Sequence, residues 1–370
     1  MAQKILLVGG SGFVGQNLSK HFMAEHRHQV GVFDFQLPKI GLGKEVFYHH
    51  GSILSLTDLM QCFTEFKPTI VVHLASCGMS GSSMLDESSS NININGTENV
   101  IRACKSMNVR FLIYTSTYNV VYGGLPIFNG NEDMPIFPVE KHSDRYGPSK
   151  AISESMILKS NGETLSGGGT LLTCSLRPAA IYGEDEQRHL PRIIKHIDSG
   201  LFFVRIGRAI VDWLHINNLV QAFHKAVECM VESEITGTRC VLAGQCYFIS
   251  DGTPIDNFLF LRPLCEARLC AFPSLTVPTS FILIVAYLSE KLYFLSKNLG
   301  WPIEPLLTRA EVYKVGVTHT FSIEKATRHF GYAPTLTSTE GARRIGAYYS
   351  LGNDPYFYPN YLRLFYYCKY

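Results

Sequence analysis

Val8-Gly9-Gly10-Ser11-Gly12-Phe13-Val14-Gly15 closes the apolar run Lys4–Val8 and opens a helical pattern over Phe13–Ala24. Glycine at 9 permits a tight turn, glycine at 12 lets backbone approach a pyrophosphate, and glycine at 15 lets helix and strand pack closely. The helix start then offers free N–H groups and partial positive charge to phosphates, with Phe13 and Val14 in its first turn. Asp34 follows Gly15 by nineteen residues. A carboxylate there accepts hydrogen bonds from the adenosine ribose and repels a 2′-phosphate, and no arginine is adjacent. The pattern predicts a dinucleotide site for NAD rather than NADP.

Outward from this turn, strand and helix signals alternate, as an α/β doubly wound parallel sheet requires. Strands are expected at 4–8, 30–33, 45–48, 70–74, 110–114 and 171–176, and helices at 13–24, 56–66 and 94–106. The run 70–74 is apolar except for His73, which suits a strand covered on both faces. Residues 123–138, rich in Gly, Asn and Pro, read as a loop, and Ser166-Gly167-Gly168-Gly169 as a flexible hinge. Beyond Pro178 the alternation weakens. A helix over 217–232, a strand over 247–250 and a helix over 257–267 are expected there.

At 370 residues the chain suits a large domain with a smaller lobe. A net charge of +2 gives no general basic field, so nucleic acid is not an expected partner. None of the ten cysteines forms a CxxC pair or sits with histidine at zinc-ligand spacing, so no metal site is expected. Cys62, Cys77, Cys104 and Cys174 fall in or beside regular elements and read as reduced, buried thiols in a reducing compartment. The apolar run at 5–8 is too short for a signal-peptide core, so no signal peptide is expected.

Tyr146-Gly147-Pro148-Ser149-Lys150 sets a phenol and an ammonium on one helical face. Ser143 or Asp144 caps this helix, and Pro148 is tolerated in its first turn. Free tyrosine ionises near pH ~10 and is a poor base. A unit charge at roughly 4 Å, in an effective dielectric of about 20, is worth about 4 kcal/mol. That would lower the phenol by up to about three pKa units, into the range useful for general acid–base catalysis. The same ammonium can hydrogen-bond the nicotinamide ribose. A further hydroxyl is expected at the end of the fifth strand, where Ser116 and Thr117 face opposite sides.

The order and spacing of these features resemble the extended short-chain dehydrogenase/reductase superfamily. Several stretches look like its 3β-hydroxysteroid dehydrogenase/isomerase branch, most of all the family-42E members. They are His73-Leu74-Ala75-Ser76, Asn93-Ile94-Asn95-Gly96-Thr97, residues 114–124, residues 176–183, residues 187–192 and Asp212-Trp213-Leu214-His215-Ile216. The resemblance implies an NAD-dependent oxidoreductase acting on the CH–OH group of a sterol-like or other apolar secondary alcohol. It assigns substrate orientation to Thr117, with Ser116 as the alternative, and proton transfer to Tyr146 and Lys150. Ala75, Pro178 and Ile181 would border the cofactor. It also implies a Rossmann domain over 1–180 with a returning segment near 210–245. A smaller, mostly helical substrate lobe would comprise 181–209 and 246–340, followed by an aromatic tail over 341–370. A homodimer is expected, on the cytoplasmic side of an intracellular membrane such as the endoplasmic reticulum, or in the cytoplasm.

The chain departs from the superfamily pattern at Val8, where threonine is usual, and at Ser52, where an aspartate commonly meets adenine. Sugar-nucleotide epimerases resemble the chain too, but commonly carry an arginine just before the aspartate equivalent to Asp212. Here Ile210 and Val211 precede it, which favours an apolar alcohol, although Arg205 and Arg208 lie close by. The competing readings are a nucleotide-sugar epimerase or reductase and a non-catalytic NAD-binding sensor or scaffold. Arg177, His189 and His215 read as structural groups.

Residues 281–288 form an apolar run, interrupted by Ser289, Glu290 and Lys291 before 292–295. A spanning helix needs about 20 mostly apolar residues. As a helix this stretch suits a membrane interface, a roof over the substrate pocket, or a buried lobe helix. In the tail 355–370, eight of sixteen residues are Tyr or Phe, which suits a headgroup boundary better than a span. Peripheral membrane association is expected.

Overall fold

A computed structural model describes residues 2–36, 43 and 45–350. Its centre is a seven-stranded parallel sheet in the order Gln245–Ile249, Leu172–Pro178, Phe111–Thr115, Ile70–His73, Lys4–Val8, Gln29–Asp34, Phe47–His50. In the first strand Ile5 and Leu7 enter the core on one face, and Leu6 and Val8 the core on the other. This two-sided burial is why the strands read as unbroken apolar runs. Helices Phe13–Ala24 and Ile216–Thr236 cover one face. Helices Leu56–Phe66, Glu87–Ser106 and Tyr146–Lys159 cover the other. The expected doubly wound α/β fold is the observed one. Strand order reverses at Lys4–Val8, which opens a crevice at the carboxyl ends of the strands, the usual ligand position in such sheets.

Several local expectations are corrected. The third strand is Phe47–His50, two residues later than predicted. The helix predicted at 94–106 begins at Glu87, because Asp86 accepts a cap hydrogen bond from the Ser88 backbone. The predicted loop 123–138 contains the strand Ile127–Gly130. It joins a four-stranded sheet with Ile210–Val211, Ile255–Asp256 and His319–Phe321. The glycine hinge is a closed turn: Ser166 N donates to Lys105 O, Gly168 N to Leu165 O and Leu165 N to Gly169 O. The helix predicted over 257–267 breaks into Asn257–Phe260 and Arg262–Ala267, since Pro263 cannot continue a hydrogen-bond ladder. The strand Gln245–Ile249 belongs to the large sheet, so that sheet takes residues expected at the start of the lobe.

Helix Thr279–Asn298 is long and apolar enough to cross a membrane, and it packs inside out. Ala286, Glu290, Tyr293 and Ser296 face inward. Glu290 accepts hydrogen bonds from Arg309 N and Nε, both at 2.7 Å, which clamps the helix to the lobe. Phe281, Ile284, Leu288, Leu292 and Leu295 form an outward stripe, with Leu288 60% exposed. This overturns the buried-helix alternative. The aromatic tail 355–370 lies outside the described residues.

Candidate active site

The crevice is walled by the glycine turn on one side and the loop after the fourth strand on the other. Gly9 takes φ +88°, and a Cβ there would fall 2.5 Å from Ala75 N. Ala75 N and Leu74 N both donate to Val8 O, which fixes this close approach. Gly15 would push a Cβ to 2.4 Å from Gly10 Cα, so its packing partner is the turn itself rather than the strand. Gly12 caps the helix without a side-chain hydrogen bond, and a Cβ there would meet only Gly9 O at 3.5 Å. Asp34 Oδ2 accepts from Ser11 N at 3.0 Å and Oδ1 from Gln36 N at 3.2 Å. Burial raises its pKa, opposed by these backbone donors.

Among the described residues, Ser11 Oγ on the glycine turn, Ser76 Oγ on the loop after the fourth strand, and Thr115 Oγ1 and Ser116 Oγ at the end of the fifth strand are buried without a hydrogen-bond partner. Buried polar groups are normally satisfied, so such a line of orphans marks a place where a polar ligand belongs. With the uncapped helix start, open Gly12 and Asp34, these residues fit a dinucleotide. Phe13, Val14 and Ile181 pack together against the core below. Pro178 ends its strand at the same edge. Ser52 sits in a tight turn, where its Oγ accepts from Leu54 N and Asp58 Oδ2 accepts from Ser52 N.

Tyr146 opens its helix, and Asp144 rather than Ser143 supplies the cap, accepting from Gly147 N at 2.7 Å. The phenol is buried beside the Ser76 and Thr117 hydroxyls. Thr117 Oγ1 accepts from Asn119 Nδ2 at 2.7 Å and Asn119 N at 3.3 Å, which leaves its O–H free to donate. Ser116 Oγ is sealed without a partner. Of the two candidate hydroxyls, Thr117 is the one beside the phenol.

The expected lowering of the phenol is not what this arrangement produces. Burial pushes Tyr146 up to about 12, against smaller downward pulls from Ser76, Arg188 and Thr117. Burial also drives Lys150 down to about 7. Its Nζ donates to Thr115 O at 2.7 Å and lies 4.1 Å from the Tyr114 ring centroid. Burial thus opposes both charged forms, the Lys150 ammonium and the Tyr146 phenolate.

Three contributors lacked an assigned role in the sequence. Ser76 stands beside the phenol. Asn93 accepts from Cys77 N at 2.9 Å and donates to Cys77 O at 3.0 Å and Ser149 Oγ at 2.9 Å. It thereby ties the Ser76 loop to the Tyr146 helix. Lys314, from helix Arg309–Gly316 of the lobe, holds its ammonium 5.7 Å from the Tyr146 ring centroid. Ser76 and Asn93 lie in stretches that resemblance singled out, while nothing local marks Lys314. Arg177 is structural as expected, paired with buried Glu154, which also accepts from Ser175 Oγ. His215 accepts from Asn217 N to cap its helix.

The 3-beta hydroxysteroid dehydrogenase/isomerase family matches residues 6–272. The chain belongs to that family. Short-chain dehydrogenase/reductase family 42E member 1 from Macaca fascicularis is 41% identical over 334 residues, covering 89% of this chain and 84% of the relative. A Mycobacterium tuberculosis 3 beta-hydroxysteroid dehydrogenase/Delta 5-->4-isomerase is 31% identical over 358 residues, covering 94% and 90%. Among solved structures, a Thermus thermophilus UDP-glucose 4-epimerase in complex with NAD superposes with a TM-score of 0.68 at 21% identity, covering 94% of this chain and 98% of that one. The family is one of NAD-dependent dehydrogenases, and its fold is shared with that epimerase.

Proposed function

We propose that this protein is an NAD-dependent dehydrogenase of an apolar, sterol-like secondary alcohol. The observation that carries the reading is the buried Tyr146 phenol beside the Ser76 and Thr117 hydroxyls, with Ser76 next in sequence to Ala75, which packs on Gly9 of the cradle. Bound NAD supplies the hydride acceptor. Thr117 donates to the substrate oxygen and orients it. Tyr146, as the phenolate, accepts the proton that the substrate hydroxyl loses, and Lys150 holds the end of the fifth strand through Thr115 O. Gly9, Gly12, Phe13, Val14, Gly15, Asp34, Ala75, Lys150, Pro178 and Ile181 are the cofactor-facing residues of this reading.

The sugar-nucleotide alternative draws support from the epimerase fold. Against it, Val211 is buried, and Arg205 is committed to Asp256 at 2.7 Å rather than free for a phosphate. A non-catalytic sensor would have no use for the retained Tyr146 and Lys150. The discriminating experiment titrates full-length protein with NADH and NADPH by nicotinamide fluorescence, in wild type and Asp34→Ala. Wild type should prefer NADH, and the variant should lose at least tenfold in NADH affinity. Unchanged affinity removes Asp34 from the ribose site, and binding of neither dinucleotide favours the scaffold reading. Thermal protection by 3β-hydroxysteroids rather than UDP-sugars then separates the two enzymatic readings.

The inside-out helix Thr279–Asn298 supports peripheral attachment to the cytoplasmic face of an intracellular membrane. Its outward side chains are apolar, and Lys291 and Lys297 can extend toward headgroups. Full-length protein should float with phosphatidylcholine/phosphatidylserine vesicles, and Leu288→Asp/Leu295→Asp should reduce the floated fraction severalfold. Recovery of wild type wholly in the lipid-free fraction would rule this attachment out.

A further inference from the structure

Helices Phe13–Ala24 and Ile216–Thr236 pack together on one face of the sheet, and each carries a histidine and a glutamate one turn apart. His21 and Glu25 come from the first helix and its C-cap, His224 and Glu228 from the second. Spacing of four residues puts each pair on one helical face, and the two pairs meet. His21 Nε2 lies 3.5 Å from Glu25 Oε1, and His224 Nδ1 lies 2.9 Å from the same oxygen. The three ligand-type atoms lie within 4.8 Å of one another. Tetrahedral coordination at ~2.1 Å sets ligand atoms roughly 3.4 Å apart, so one dication fits among them with small adjustments.

Two features distinguish this cluster from an ordinary surface ion-pair group. His21 Nε2 and His224 Nδ1 are sealed from solvent and make no hydrogen bond of acceptable geometry, although both face Glu25 Oε1. Their rings meet edge to face, with centroids 4.9 Å apart. The surrounding contacts hold the outer atoms and leave the inner ones available. Glu228 Oε2 sits 3.1 Å from His224 Nε2, which places the proton there and the lone pair on Nδ1. Arg27 Nε, at 3.1 Å, and His28 Nε2, at 3.7 Å, hold Glu25 through its other oxygen.

We propose that His21 Nε2, Glu25 Oε1 and His224 Nδ1 bind a divalent transition metal of the zinc type, with Glu228 as the positioning residue for His224. Water completes the coordination on the half-exposed side. The bound ion clasps the helix that begins at the phosphate cradle to the helix that returns from the lobe. Two imidazoles and a carboxylate suit zinc, cobalt or nickel over magnesium or calcium.

The test uses full-length protein stripped with EDTA, titrated with zinc by calorimetry, and analysed for metal content after dialysis. Wild type should hold one zinc equivalent more than His21→Ala/His224→Ala, which removes the background from cysteine thiols. Glu228→Gln should weaken that equivalent by about 10–100-fold without removing it. Circular dichroism checks the double variant, and the near-isosteric Glu25→Gln should lose the same equivalent if the double variant is misfolded. Equal zinc content in wild type and these variants, or zinc in none of them, overturns the site.

Discussion

Tyr146→Phe should lower kcat by about 10²–10⁴-fold on any 3β-hydroxysteroid that wild type oxidises, with fold and NADH affinity unchanged. General acid–base groups contribute rate factors of that size, equivalent to about 2.7–5.5 kcal/mol of barrier. Phenylalanine keeps the buried ring and its packing beside Lys314. The lost hydroxyl strands no satisfied partner, since Thr117 Oγ1 is already engaged by Asn119 and Ser76 Oγ has no hydrogen bond. Stability should therefore change little, and a large kinetic loss would report chemistry rather than misfolding. Steady-state kinetics with circular dichroism decides the matter. A variant within about tenfold of wild type would falsify the role of Tyr146 as the proton-transfer group.

The second large effect is expected at the turn. Gly9→Ala places a methyl group 2.5 Å from backbone at Ala75, at a φ of +88° that L-residues rarely adopt. Backbone strain alone costs on the order of 1–3 kcal/mol, and the obstructing atoms are main chain that cannot rotate away. The melting temperature should fall by several degrees, with loss of NADH binding. Gly12→Ala meets only Gly9 O at 3.5 Å, so it should fold normally and lose cofactor affinity alone. Paired thermal melts and NADH titrations separate these outcomes. Identical behaviour of the two variants would mean that Gly12 serves the fold rather than the phosphates.

Much of this architecture was legible because its decisive signals are local. Lys4–Val8, Phe13–Ala24 and Leu56–Phe66 have the bounds that their periodicity predicts. Each is an apolar pattern ended by glycine or opened by a cap. Signals that depend on distant partners were not legible. Ile127–Gly130 is a strand only because His319–Phe321 lies beside it, nearly two hundred residues away. The His21 and His224 pairs are just as remote from each other, so ligand spacing along the chain carried no trace of their meeting. Helix Glu87–Ser106 starts seven residues before the predicted 94, where Asp86 caps it. The cradle glycines, Asp34, Tyr146 and Lys150 were named from spacing, whereas Thr117, Ala75, Pro178 and Ile181 came from the resemblance. Spacing gives the proximity of two groups but not the depth of their burial, which disfavours both the Tyr146 phenolate and the Lys150 ammonium.

The outer strand of the large sheet has a consequence for biosynthesis. Leu172–Pro178 cannot pair on its outer edge until Gln245–Ile249 has been made, about seventy residues later. At ribosomal rates of roughly 5–20 residues per second, that edge stays open for several seconds while lobe segments emerge. During this interval Cys174 and Leu176 belong to an unfinished, aggregation-prone edge. The nucleotide-binding half therefore cannot mature ahead of the segment that follows it. A nascent chain halted between the two strands would be a substrate for chaperones rather than a smaller working enzyme.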